Sequence, residues 1–190
     1  MIRWLMWLLG GIVLGGMVHL ATVLALPTTA TRDAYSRLTP IAKANAVVPL
    51  PEPAPATALL PFMDPAFAAA VCRYDLAAAP LKLTVPVSQA YTSVSFYTRK
   101  GIAYYAINDR AAGRRVIELD LMTVEQHNLV PEDEEITAAD RLIVESPTVT
   151  GLIAIRALAP EPQLLPAAQR AIANAQCKRQ DEPKPPPPRK

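Results

Sequence analysis

Residues Trp4 to Leu26, WLMWLLGGIVLGGMVHLATVLAL, run for 23 residues without a formal charge. As a helix rising 1.5 Å per residue the run spans about 34 Å, enough for a hydrocarbon layer of about 30 Å with some tilt. A cleavable signal has an apolar region of only about 7–15 residues, so residues 4–26 read as an uncleaved anchor; cleavage near Ala25 is the alternative. Trp4 and Trp7 suit the headgroup level. Gly11 and Gly15 form a GxxxG pair that would let a second helix approach, although glycines are common in membrane helices in any case. His19 is best kept neutral, bonded to its own helix or a neighbour.

The flanking charges do not decide the orientation. Arg3 precedes the run, and Arg32, Arg37 and Lys43 follow it. Long domains translocate largely regardless of such charges. The two cysteines, Cys72 and Cys177, bracket most of the remaining chain and read as a staple between its ends, which an oxidising compartment would form. Two unrelated buried thiols are the alternative. With the staple, residues 1–3 lie in the cytoplasm and the rest in the periplasm, as a single-pass protein of a bacterial inner membrane.

Twenty prolines are about twice the usual share. Residues 27–61, with PLPEPAPATALLP, lack an apolar period and predict an extended polyproline spacer that holds the domain off the bilayer. The tail 178–190, KRQDEPKPPPPRK, predicts no core. Between them, residues 62–177 form the domain. DPAFAAAVC predicts a short helix with Asp64 as N-cap and Pro65 behind it. LKLTVPV, TSVSFYT, IAYYAIN, RRVIELDL, RLIVES and GLIAIRAL read as strands, TVEQHNL as a turn of helix, and the segment from Leu165 to Cys177 as a closing helix. The fold class is mainly β, an antiparallel sandwich or jelly-roll-like sheet with short terminal helices.

Function classes narrow by exclusion. Residues 62–177 carry ten Lys/Arg and thirteen Asp/Glu, which is not the basic footprint of a nucleic-acid binder. His127 is the only histidine outside the apolar run, so no histidine-rich metal site is expected, and no cofactor. No phosphate loop, dinucleotide fingerprint or G-x-S-x-G elbow occurs.

One stretch invites a site. A hairpin looping at Arg99-Lys100-Gly101 pairs Phe96 with Tyr104 and Val94 with Ala106. Val94, Phe96, Ile102 and Tyr104 then face the core, and Ser93, Ser95, Tyr97, Ala103, Tyr105 and Ile107 face outward. With Ile117, Leu119 and Leu121 inward, Glu118 and Asp120 point out beside Tyr97 and Tyr105. Such a face could take a polar ligand or a sugar, or be an ordinary solvated sheet surface with cross-strand tyrosines. Arg110, Arg114 and Arg115 could hold an anion, or balance the acids Glu132 to Glu135 of the PEDEE run.

CRYDL, YTSVSFYTRKGIAYYAINDRAAGRRVIELDLMT, ADRLIVESPTVTGLIAIRAL and the closing Cys177 resemble a bacterial family, domain of unknown function 1254, in its small membrane-anchored form. The resemblance implies a β-sandwich-like fold and, as a candidate partner, a protein of domain of unknown function 1214, which this chain is too short to contain. It implies no catalytic residues. The expected function is an accessory or binding module working with a partner protein. A hydrolase or sugar-processing enzyme using the outward carboxylates is the alternative.

Overall fold

The computed structural model describes residues 1–29, 33–53, 59–61, 63–112, 115–130 and 142–180. It divides into two compact units, Met1–Asp33 and Ala34–Lys190. The first is helix α1 (Ile2–Thr29), of which Ile2–Leu26 is long and apolar enough to cross a membrane. A Cβ at Gly10, Gly11, Gly15 or Gly16 would meet open space, so a small-residue surface runs along one stretch of the helix.

The second unit is a two-layer β structure. It contains α2 (Ala34–Leu38), β1 (Val47–Pro49), β2 (Phe67–Asp75), β3 (Leu81–Pro86), β4 (Thr92–Thr98) and β5 (Ala103–Asn108). There follow α3 (Asp109–Ala112), β6 (Val116–Thr123), α4 (Val124–His127), β7 (Leu142–Ser146) and β8 (Thr150–Leu158). A 3-10 turn (Pro162–Leu164), α5 (Leu165–Ala173) and β9 (Gln176–Arg179) close it. Sheet A is ordered β1-β2-β8-β4-β5 and sheet B β7-β6-β3-β9; β6–β7 is the one parallel pairing among these.

Period-two alternation explains the layers. Leu81, Leu83 and Val85 of β3, Ile117, Leu119 and Leu121 of β6, Val94 and Phe96 of β4, and Ile153 and Ile155 of β8 are all at most 1% exposed, in one core cluster. Cys72 of sheet A is joined to Cys177 of sheet B, with Cα atoms 6.5 Å apart. The bridge therefore crosses the core between layers. Cys177 lies in β9, opposite Leu83, and not at the end of the closing helix as expected.

Three further expectations fail for physical reasons. DPAFAAAVC is not helical: Asp64 Oδ1 accepts from Ala66 N–H at 2.9 Å, an Asx turn, and the chain enters β2. Its alanines favour helix in isolation, but β2 is paired on both sides, and Ala68 and Ala70 share the core with Ala168 and Ile172 of α5. Residues 34–53 are not a free spacer either. Leu38 and Ala42 are 1% exposed and pack on the outward Val71 and Leu152, with Val48, Leu50, Leu59, Leu60 and Tyr97 around them. Asn45, at φ 56°, fastens this strap. Its Oδ1 accepts from Asp75 N–H at 2.8 Å, and its Nδ2 donates to Asp75 O at 3.0 Å. The domain also runs past 177, since Lys178 and Arg179 pair with β3 and Gln180 N–H donates to Pro80 O at 2.9 Å. The rest of the tail lies outside the described residues.

Candidate functional site

The outward face expected around the hairpin is taken apart by one extra residue. The loop closes as the glycine predicts, with Gly101 at φ +80° and Thr98 N–H donating to Ile102 O at 2.9 Å. Beyond it, Tyr97 pairs with Ala103 but Phe96 pairs with Tyr105, leaving Tyr104 as a bulge. The slip flips every later side chain of β5. Tyr105 and Ile107 turn to the core with Val94, while Ile102 is 64% exposed and Ala106 points out beside Ser95. Both tyrosine rings reach Phe96, with centroids 6.1 and 5.8 Å away.

Glu118 and Asp120 are not neighbours of Tyr97 and Tyr105 at all. They lie on β6 of sheet B, opposite Thr84 and Lys82, and Asp120 is only 4% exposed. The two serines, two tyrosines and two carboxylates therefore do not share a face. Arg110 sits in α3 and Arg115 just ahead of β6, both exposed; Arg114 and the PEDEE run lie outside the described residues. His127 Nδ1 meets Glu145 Oε1 at 2.6 Å on the outside of sheet B. No group of three or more His, Cys, Asp or Glu that could hold a metal occurs among the described residues.

Sequence reasoning missed a hydroxyl cluster in the core. Tyr104 Oη donates to Tyr74 Oη at 3.2 Å, and Tyr74 Oη lies 3.0 Å from Ser146 Oγ, which donates to Thr148 O at 2.7 Å. Thr148 Oγ1 in turn donates to Thr150 O at 3.0 Å. Each hydroxyl hydrogen has an acceptor, so this is a satisfied network that ties β5, β2 and β7 together. Burial, the largest effect, pushes the Tyr104 phenol well above its usual range, and the Tyr74 hydroxyl adds to it. The Tyr104 phenol is therefore not primed to lose a proton.

What remains open is a cleft that starts between the strap and α5, beside the β1 edge of sheet A, and continues onto the outward face of β2 and β8. One cavity of about 440 Å³ is lined by Pro49, Leu50, Glu52, Phe67, Leu165 and Gln169, among others. A second, of about 270 Å³, shares Leu50, Met63, Phe67 and Ala69 with it and extends to Leu60, Asp64, Ala154 and Arg156. Glu52 Oε1 accepts from Gln169 Nε2 at 2.9 Å, linking strap to helix. The register sets Asn108, Ser93 and Arg156 in one outward row, and Ala106, Ser95 and Ala154 in the next. Ser93 and Ser95 thus stand opposite Arg156 and Ala154, which line the second cavity, but neither serine lines it. An apolar trough with a few polar groups on its rim is the usual form of a binding site. Among its described lining residues, none supplies a nucleophile with an adjacent base.

Fold and surface thus define a disulfide-bridged, two-layer β domain with an open cleft, preceded by one apolar helix. Residues 44–179 match the family model described as Protein of unknown function (DUF1254), and the chain belongs to that family. Among solved structures it is similar to the VPA0106 protein of Vibrio parahaemolyticus, with 15% identity and a TM-score of 0.58 over 83% of this chain and 39% of that one. It is also similar to an uncharacterized protein from Burkholderia cenocepacia, with 17% identity and a TM-score of 0.48 over 81% of this chain and 43% of that one. At these identities the likeness is one of fold. The chain spans about two fifths of the length of these solved neighbours. No curated protein matches it.

Proposed function

We propose that this protein is a membrane-anchored accessory or binding module of the bacterial envelope, with α1 as an uncleaved single-pass anchor in the inner membrane. Its N-terminus lies in the cytoplasm and its β domain in the periplasm, where the cleft beside sheet A engages a partner protein. The observation that carries the reading is the Cys72–Cys177 bridge through the core, in a chain led by an apolar span of 25 residues. Structural disulfides persist where the compartment is oxidising. A partner is favoured over a reaction because the cleft is lined mainly by apolar groups, and because Glu118 and Asp120 sit on the other sheet. As the family resemblance implies, a protein of domain of unknown function 1214 is a candidate partner.

Two results test this. Alkaline phosphatase fused after Gln180 should be active in a bacterial host and β-galactosidase at the same site inactive; the reverse pair would place the domain in the cytoplasm. A photoreactive residue at the exposed Glu52 should trap one discrete protein in native membranes, whereas the same group at Lys82 on sheet B should not. Equal, diffuse labelling from both positions would remove the cleft as a partner surface.

A further inference from the structure

We propose that the surface around Tyr35 is an electrostatic contact for anionic lipid headgroups, with Lys43, Arg73, Arg99 and Lys100 supplying the charge. This rests on the anchor reading above and adds the surface with which the anchored domain meets the bilayer. Tyr35, on α2, holds two guanidinium groups at once: Arg73 lies 5.6 Å and Arg99 5.4 Å from its ring centroid. The first comes from the outward face of β2, the second from the β4–β5 loop. Lys100 follows in that loop and is exposed, as Arg99 is. Lys43 is exposed between Ala42, whose carbonyl accepts from Arg73 Nε at 3.2 Å, and Ala44, which bridges to Arg73.

Cations gathered this way repel one another, and the ring quadrupole offsets only part of that. The acids nearest in the chain are Asp33 before Tyr35, Glu52 after Lys43, Asp109 after Lys100 and, beside Arg73, Asp75, whose Oδ1 accepts from Ala77 N–H at 3.0 Å. The carboxylates Glu118, Asp120, Glu125 and Glu145 belong instead to β6, α4 and β7, the sheet B layer. Sheet B mixes these acids with cations of its own, Lys82, Lys178 and Arg179, whereas at Tyr35 two guanidinium groups share one ring. Only residues 30–33 separate α1 from α2 in sequence. A tether of that length reaches at most about 18 Å, and attraction to an anionic surface acts within about 8–10 Å at moderate salt.

The test uses the full chain in lipid nanodiscs made of phosphatidylcholine alone or with about 30% phosphatidylglycerol, at about 50 and 500 mM NaCl, salts that bracket the screening range. Amide hydrogen exchange is followed peptide by peptide. Segments 34–44 and 98–102 should exchange more slowly in the anionic discs at low salt, and lose that protection at high salt. Each charge contributes about fivefold in affinity near such a surface. Lys43→Gln, Arg99→Gln and Lys100→Gln combined should therefore abolish the protection, with a melting temperature lowered by no more than about 2–3 °C, the amount that loss of the Arg99–Tyr35 contact allows. Equal exchange in both discs, by a chain that co-elutes with them, overturns the patch and leaves the anchor standing. A chain that elutes apart from both kinds of disc overturns the two together. Protection that needs added envelope protein instead of phosphatidylglycerol assigns the surface to an acidic partner and overturns the lipid assignment.

Discussion

Reduction of the Cys72–Cys177 bridge should lower the stability of the domain by about 4 kcal/mol. Closing a loop of this size, with a sequence separation of 105, removes about 4.7 kcal/mol of unfolded-chain entropy in the ideal case, and native bridges of this kind are worth about 2–5. The position of the bridge adds a packing argument. Cys72 and Cys177 are at most 2% exposed, at the centre of the cluster that joins the two sheets. β9 is a four-residue edge strand that pairs only with β3. Without the covalent link, β9 is the element most readily lost, and α5 loses its C-terminal tether with it. At roughly 3 °C per kcal/mol for a domain of this size the melting temperature should fall by about 12 °C. Cys72→Ala with Cys177→Ala should reproduce the fall, which excludes an effect of the reductant. A shift of only a degree or two in both experiments would mean that the sandwich is closed by packing alone. Two reactive thiols in protein taken directly from the envelope would overturn the compartment as well.

The residues that were legible in the sequence are those whose local pattern is also their tertiary role. Leu81-Lys82-Leu83-Thr84-Val85 alternates in the chain and in the sheet, because β3 has one face on the core and one outside. The Thr123 cap is equally local: its Oγ1 accepts from Gln126 N–H at 3.2 Å, while Gln126 Oε1 accepts from Thr123 N–H at 3.0 Å. Long-range pairing was not legible. The Asp64-Pro65-Ala66 turn ahead of β2 carries a helix signal that only the strand's neighbours β1 and β8 overrule. Tyr104 and Tyr105 are chemically the same, so nothing in the chain says which of them is the bulge; the buried hydroxyl of Tyr74, 30 residues earlier, decides it. The lost carboxylate face has the same origin. β5 and β6 follow one another in sequence but belong to different sheets, so adjacency in the chain misplaced Glu118 and Asp120. The strap resembles a spacer in sequence because its apolar residues have no period; they meet Val71, Leu152 and Tyr97 one at a time. Arg156, at the rim of the cleft, carries no local signal in GLIAIRAL that sets it apart.

Gly151→Ala should be among the most damaging single substitutions in the domain, despite adding only a methyl group. Gly151 faces Tyr74 across the β2–β8 pair and Thr98 across the β4–β8 pair. A Cβ there would overlap the Tyr97 carbonyl oxygen and the Oη and Cζ atoms of Tyr74. The first obstacle is backbone and cannot rotate away. The second is a ring that is 0% exposed, and whose hydroxyl touches Tyr97 O, Ser146 Oγ, Thr148 Oγ1 and Tyr104 Oη. Moving that ring breaks the network; leaving it forces β8 away from its neighbours. Overpacking usually costs about 1–3 kcal/mol, and with a backbone atom in the way the upper end, about 3, is expected. Tyr74→Phe removes the same hydroxyl without any clash, strands the Tyr104 donor, and should cost about 1–3 kcal/mol. Tyr74→Ala clears the ring but not the carbonyl, so Gly151→Ala should cost less in that background, by about 1 kcal/mol or more of coupling, without becoming neutral. Urea denaturation of the four proteins measures this cycle. Full additivity would show that the ring and Gly151 do not compete for space, and a neutral Gly151→Ala would show that β8 and the Tyr97 strand can part to admit a methyl group.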